Sequence, residues 1–432
     1  MTDRTVRAPS AFRLNLEQQK NRAKDLLRDA KTGNTKAISR FAAVRRDSTT
    51  TLKLADAQFV IARELRFASW VKLKAHIESM DQQATAIDRK LPPPDGDLRT
   101  LHIRNGSDIQ QSLLEAGFVG DFLDHSTPYC QGPVTTGPER HELMARFLVS
   151  AFPDVHGGLV YESVLEGLAL GEERLQRTAE DYERVVLWVE HCSCCQLVLA
   201  RLLAHFANAK RPRVLELINV NDFPGSRNFI GMGVLPSEAL RLLWQTRKPV
   251  TPAQLALGNE AWSALASEDP RQLAAIARSG TPALPTMGPV LHRQLCELPS
   301  VRTGLSLAEQ VVLEVLAEER RIQGILLGFI MAKRQGLFWI GDLCWIYVIQ
   351  RMEQASEAVL TRSPQTEPPD DSPRYHWLTI TDLGRAVLRG ERDWLSLRPP
   401  ARWVGGMHIQ PGVPGWRWDE TKRDAVLRER KR

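Results

Sequence analysis

The sequence predicts a mixed α/β protein, with a Rossmann-like, mostly parallel sheet domain set between an N-terminal helical module and a C-terminal α+β module. Three observations carry this. Residues 14–80 are helical in pattern throughout. From Leu101 short apolar runs alternate with helical stretches, "TLHIRNG", "VVLWVE" (185–190) and "RVLELINV" (213–220) being the strands. After residue 300 the order becomes three helices, a strand pair and a last helix. Over 432 residues this implies several cores, with boundaries expected at 1–80, 81–98, 99–300 and 301–432.

In the first module, Asn15 with Gln18 reads as a helix start, and Leu16, Ala23, Leu26 and Leu27 form one apolar stripe ending near Gly33. Leu52–Leu65 and Ser69–Met80 fit two more helices, Ser69 capping the second. The net charge is +6, but residues 1–80 alone hold 17 Lys and Arg against 8 Asp and Glu. A protein or nucleic-acid partner is therefore expected on these basic helices, with a solvated face as the plain alternative. Pro92-Pro93-Pro94-Asp95-Gly96 stops helix and strand alike, so 81–98 reads as a linker, and removal of residues 1–90 is expected to leave a folded body.

"VVLWVE" is apolar throughout, as in a strand covered on both faces, and the helix Gln196–Asn208 follows it. Residues 236–300 read as helical. Helices then fit Ser306–Glu319, Ile322–Ala332 and Ile340–Met352, before "RYHWLTITDLGRAVLRG", a strand, a Thr-initiated turn and a short helix. That order is winged-helix-like. Its third helix, from which base contacts would come, carries Arg351 against Asp342 and Glu353 and is otherwise apolar, which speaks against nucleic-acid binding there.

With 43% hydrophobic and 25% charged residues, a packed protein is expected. No apolar run reaches the roughly 18 residues of a membrane span, and the first residues lack a signal-peptide core, so a cytoplasmic protein is expected. Six cysteines are too few for a disulfide scaffold.

Candidate chemistry gathers at strand ends. Asn105-Gly106-Ser107-Asp108 closes the first strand and opens a helix, where backbone N–H groups favour an anion; the same residues also suit an Asn-Gly turn with a cap. Glu190-His191-Cys192-Ser193-Cys194-Cys195 follows the central strand. Glu190 and His191 are candidate catalytic residues, acid, base or ligand, and Cys192 and Cys195 have thiolate-knuckle spacing, with Cys296 the distant partner a metal would need. Small buried thiols are the competing reading. Asp222 follows the third strand, as a metal or ribose ligand or a turn cap. In "RWVGGMHIQPGVPGWRWDE" (402–420) aromatic and Arg side chains interleave with Gly, suiting either a stacked ring or a tail pinned by its Trp residues.

The segment "LADAQFVIARELRFASWVKLKAHIE" resembles one found ahead of ankyrin-type repeats in bacterial proteins, which implies an interaction or scaffolding module. From about Leu101 to Asp419 the chain resembles a bacterial family known as domain of unknown function 1835 with its C-terminal companion, domain 3658. The resemblance rests on "LHIRNG", "GDFLDHS", "CQGPV", "DFPG", "GMGVL", "ALGNEAWSAL", "GLSLAEQ", "IGDL" and "RWVGGMHI…WRWD". It implies no reaction. These motifs add Asp121, Asp342, Arg385, His408, Trp416, Arg417 and Asp419 as candidate site residues. Where the family pattern has acids, this chain has Thr127, Cys192 and Cys195, and a later His/Glu pair is Gln294 and Cys296. Thiols do not replace carboxylates toward Mg²⁺. The expected function is a binding protein with a degenerate acidic site and little or no catalysis. The alternatives are an enzyme for a phosphorylated or nucleotide-like small molecule, using Asn105, Ser107, Glu190, His191 and Asp222, and a nucleic-acid-binding regulator. No cofactor is named by the sequence.

Overall fold

A computed structural model describes residues 10–44, 51–153, 158–225, 229–334, 340–364 and 372–428. The chain opens with four helices, α1 (Leu16–Lys31), α2 (Thr35–Ala42), α3 (Leu54–Glu64) and α4 (Trp70–Asp88). Asn15 and Ser69 cap α1 and α4 by accepting the N–H of Gln18 and Lys72, which replaces a helix-end partner the backbone lacks. The second helix, short and capped by Asn34, is the one the apolar stripe did not announce.

The sheet region runs β1 (Thr100–Arg104), α5 (Gln110–Glu115), β2 (Asp121–Asp124), α6 (Arg140–Ala151), α7 (Tyr161–Gln176), α8 (Thr178–Asp181), β3 (Arg184–Glu190), α9 (Ser193–Asn208) and β4 (Val214–Val220). It continues through α10 (Ser237–Trp244), β5 (Lys248–Pro249), α11 (Pro252–Leu265), α12 (Arg271–Ser279) and α13 (Met287–Leu295). Strand order is β2-β1-β3-β4-β5, the first four parallel and β5 antiparallel to β4. Every residue of β3 is buried, as its unbroken apolar run required.

Alternate side chains of a strand point to opposite faces. Val185, Leu187 and Val189 therefore enter one core with α9, α11 and α13, while Val186 and Trp188 enter another with α5, α10, Phe12 and Met80. The helices after β1 and β3 thus lie on opposite faces, which opens a crevice between the carboxyl ends of these two strands.

The remaining elements are α14 (Leu307–Glu318), β6 (Arg321–Ile322), α15 (Gln323–Phe329), α16 (Asp342–Glu353), β7 (Leu360–Ser363), β8 (Trp377–Ile380) and α17 (Asp382–Arg389). Two hairpins end the described chain, β9 (Arg402–Val404) with β10 (Met407–Ile409), and β11 (Gly415–Asp419) with β12 (Asp424–Arg428). β6, β8 and β7 form an antiparallel three-stranded sheet. Its core is continuous with that of α9, so residues after 300 share buried surface with the sheet region. Trp418 is buried, and its backbone pairs with Pro299 and Val301.

The first helices are also bound to the sheet region. α4 continues to Asp88, well past the expected start of the linker. Asp95, within that stretch, is buried and accepts from Val119 N–H, Gly120 N–H and His102 Nε2, while Trp188 donates to His102 Nδ1. Phe12 sits edge-on to Phe223 and Phe229, Arg13 pairs with Glu238, and Gly225 N–H donates to Leu65 C=O. No helix among the described residues is long and apolar enough to cross a membrane.

Candidate functional site

At the crevice, Arg104 ends β1 with only 2% of its surface exposed. Its guanidinium donates to both carboxylate oxygens of Asp108, at 2.6 and 2.8 Å, and to Glu190 Oε2 at 3.0 Å. Burial opposes the charge on Arg104, but Asp108 and Glu190 outweigh it and hold it firmly protonated. Glu190, 4% exposed, also accepts the backbone N–H of Met232 at 2.8 Å. The loop carrying that N–H lies on the carboxylates: a Cβ on Gly231 would fall 2.9 Å from Glu190, and one on Gly233 2.5 Å from Asp108. Gly231 has φ 155°, within the glycine-favouring range.

Asn105 adjoins this network, its amide donating to Cys195 Sγ at 3.5 Å, and Gly106 N–H donates to Asp124 Oδ1 at 3.0 Å. Ser107 is exposed beside it. His191 is buried with its ring 5.9 Å from Phe229, and that burial lowers its pKa. Asp222 lies at the same edge of the sheet, but its half-exposed carboxylate pairs with Arg66 at 2.9 Å, toward the first helices. Asp121 opens β2 at the opposite edge and accepts from Tyr182 Oη, so it is not part of this site. Of the expected strand-end set, Asn105 and Glu190 adjoin the Arg104–Cys195 network, whereas Asp222 turns to Arg66 and His191 to Phe229. Arg104 went unread in the sequence, although a cation closing an apolar strand was the available signal.

The cysteines divide differently from the expected set. Cys192 Sγ caps α9 by accepting Cys195 N–H, and ligand atoms of Glu190, Cys192 and Cys195 lie within 4.8 Å of one another. Cys296 joins neither these nor the other thiols; it contacts His292 at 3.8 Å, and burial pushes its thiol up to about 12. Cys296 is the C-cap of α13, one turn after the His292 it contacts. Instead Cys194 meets Cys130 and Cys344, two residues without any sequence signal. Gln294, also at a position of interest, is buried with its amide unpaired among the described residues.

Beyond β2, Thr127 is buried and lines a small cavity of about 40 Å³ with Tyr129, Arg140, His141, Glu172, Arg201 and Trp262. His125, 3.5 Å from Tyr129 Oη, is held at about 4, down from 6.5, by burial and then by the charge of Arg201. Below pH 6.5 the unfolded chain takes up a proton that the folded chain refuses until about pH 4, so stability is full above that window and falls on acidification through it. His125→Gln is expected to shallow the fall of the urea midpoint between pH 7 and 4; an unchanged slope would assign the acid limb to other groups.

A larger cavity, about 640 Å³, opens beneath the terminal hairpins, lined by His408, Trp416 and Arg417 together with Asp393, Val413 and Arg428. Asp393 holds Arg417 at 2.8 Å and Arg428 at 2.9 Å. His408 stacks on Trp403 at 4.4 Å, and the Arg271 guanidinium lies 5.5 Å above the Trp416 ring. Three more candidates serve the backbone elsewhere. Asp342 accepts Leu343 N–H, Arg385 donates to Ala317 C=O, and Asp419 accepts Thr421 and Lys422 N–H in the turn of the last hairpin.

No protein-family model matches this chain, and no curated protein does. The geometry alone therefore carries the chemistry. Both donors to Glu190, the Arg104 guanidinium and the Met232 N–H, meet the same oxygen, Oε2, so this carboxylate ties the end of β1 to the Gly231 loop. On α16 the buried set includes Cys344, Trp345, Val348 and Arg351, with Arg351 donating to buried Glu309 at 3.2 Å. Tyr347 of the same helix packs on Phe147 of α6 and on Phe152, which follows it.

Proposed function

We propose that this protein is a non-catalytic binding protein whose ligand occupies the cavity under the terminal hairpins. We further propose that it is a member of the domain 1835 family, with a Rossmann-like sheet and a winged-helix-like C-terminal unit. The observation that carries the binding reading is the state of Glu190. Buried Glu190 is bonded through Oε2 to Arg104 and to the Met232 N–H, and the Gly231 backbone lies against it, so its carboxylate is engaged in holding the strand ends together. The strand order and opposite-faced helices support the Rossmann-like reading, since such crevices are where ligands of open sheets bind.

The hairpin cavity offers about 640 Å³ of space. Trp416, together with Met407, Ile409 and Leu427, offers an apolar wall, and Arg417 and Arg428, two cations sharing the single carboxylate of Asp393, also line it. That combination suits a flat ring compound carrying an acidic group. An enzyme for a nucleotide-like substrate at Asn105, Ser107, Glu190, His191 and Asp222 would first have to release Glu190 from Arg104. A nucleic-acid reader would have to expose a helix, α16, whose Tyr347 side is packed against α6. The basic excess of residues 1–80 is partly answered by Glu17, Asp25, Glu64 and Glu78, which pair with Lys20, Arg28, Arg40 and Lys74.

Calorimetric titration with nucleotides and aromatic acids tests this. Binding is expected to weaken about tenfold or more in Trp416→Ala, from loss of a stacking surface, and to be unchanged in Glu190→Gln. Turnover of any of these compounds that disappears in Glu190→Gln sinks the reading in favour of an enzyme.

A further inference from the structure

We propose that Cys130, Cys194 and Cys344 form a closed binding site for a soft d¹⁰ cation, Zn²⁺ or Cu⁺, that fastens the C-terminal unit to the sheet region. The three thiols come from the loop after β2, the first turn of α9 and the first turn of α16, and one sulfur from each lies within 4.8 Å of the others. Cys130 Sγ is 2.7 Å from Cys194 Sγ and 3.9 Å from Cys344 Sγ. Cys130 and Cys344 are buried and Cys194 nearly so. A solitary buried thiol behaves as a small apolar group and needs no second sulfur. Three converging from positions 64 and 214 residues apart do need an explanation.

A tetrahedral Zn–S bond of about 2.3 Å places neighbouring sulfurs roughly 3.8 Å apart. The Cys130–Cys344 separation of 3.9 Å already has that value, and the Cys130–Cys194 pair, at 2.7 Å, must widen by about 1 Å to share the ion. An oxygen donor is also at hand. Gln131 Nε2 donates to Cys344 C=O at 3.0 Å, and Gln131 Oε1 is buried with no hydrogen-bond partner among the described residues. That oxygen can complete four ligands. Three thiolates with Zn²⁺ leave one negative charge, and Arg293 lies within electrostatic reach of Cys194 and Cys344 to offset it.

The neighbouring group Glu190, Cys192 and Cys195 is a weaker candidate, because its ligand atoms are already used. Glu190 holds Arg104 and Met232 N–H, Cys192 caps α9, and Cys195 accepts from Asn105. In the Cys130 group the sulfurs bond to one another, and the one backbone partner is Gly341, at Cys344. With Cys130 and Cys344 in the core and Cys194 packed against it, the site is shaped to hold an ion rather than to admit substrate, so it is structural.

The full chain, purified under reductant without chelator, is expected to hold about one Zn²⁺ or Cu⁺ by elemental mass spectrometry. Replacing the ion with Co²⁺ should give a thiolate-to-cobalt charge-transfer band. Cys130→Ser and Cys344→Ser should each lose the ion, while Cys192→Ser and Cys296→Ser keep it. Should the first pair fail to fold, the wild type decides. Reduced protein stripped by chelator must take up one equivalent of Zn²⁺ or Cu⁺ and regain thermal stability. No uptake by the stripped wild type overturns the proposal. So does full metal content in Cys344→Ser, or a Cys130–Cys194 disulfide in protein isolated under reductant.

Discussion

Arg104→Leu is expected to destabilise the protein by about 3–5 kcal/mol, the cost of leaving a buried ion-pair partner uncompensated. Glu190 then keeps only the Met232 N–H, in a site closed by the Gly231 backbone. Asp108 is less affected, because its side chain is 43% exposed and water can replace the guanidinium. The double variant Arg104→Leu, Glu190→Leu should recover much of the loss, since both charges leave the interior together. Urea denaturation of the two variants measures this. A single-variant loss below about 1 kcal/mol, the range of an exposed pair, would mean that water reaches Glu190 and that the crevice is open enough for a ligand.

Removal of residues 1–90 is expected to yield an insoluble or strongly destabilised body, the reverse of what the proline run suggested. The deletion strips Phe12, Met80 and Ile87 from the core that contains Trp188, Phe223, Phe229 and Trp244. Two large buried side chains, Phe12 and Met80, represent roughly 5 kcal/mol or more by themselves. Glu238 also loses Arg13, Arg241 loses Gln83, and Asp222 loses Arg66. Melting of the truncated and full-length chains compares the two directly. A truncated body that melts within a few degrees of the full chain would show that the aromatic face tolerates solvent and that the first helices are an independent unit.

The carboxyl-edge residues were readable because their signals are local. An apolar run such as "VVLWVE" forms a strand wherever both faces are covered, and the polar residues that break it, Glu190 and His191, fall at its end. Asn105 and Gly106 follow the same rule after β1, and Gly106 has φ 98°, as a tight turn requires. β2 escaped notice because it is four residues long and has only Leu123 buried, too little pattern for a period of two.

The sequence by itself determined where β1, β3 and β4 lie, where α1 and α4 are capped, and that polar chemistry collects at the strand ends. These depend on residues within a few positions of one another. Only the tertiary structure decided that Arg104 would claim Glu190, 86 residues away, that Phe12 would complete the aromatic core, and that Cys194 would meet Cys130 and Cys344 while Cys296 stood apart. Such partnerships follow from how whole helix faces pack across a sheet. That packing sums many weak apolar contacts, and no short spacing in the chain encodes it.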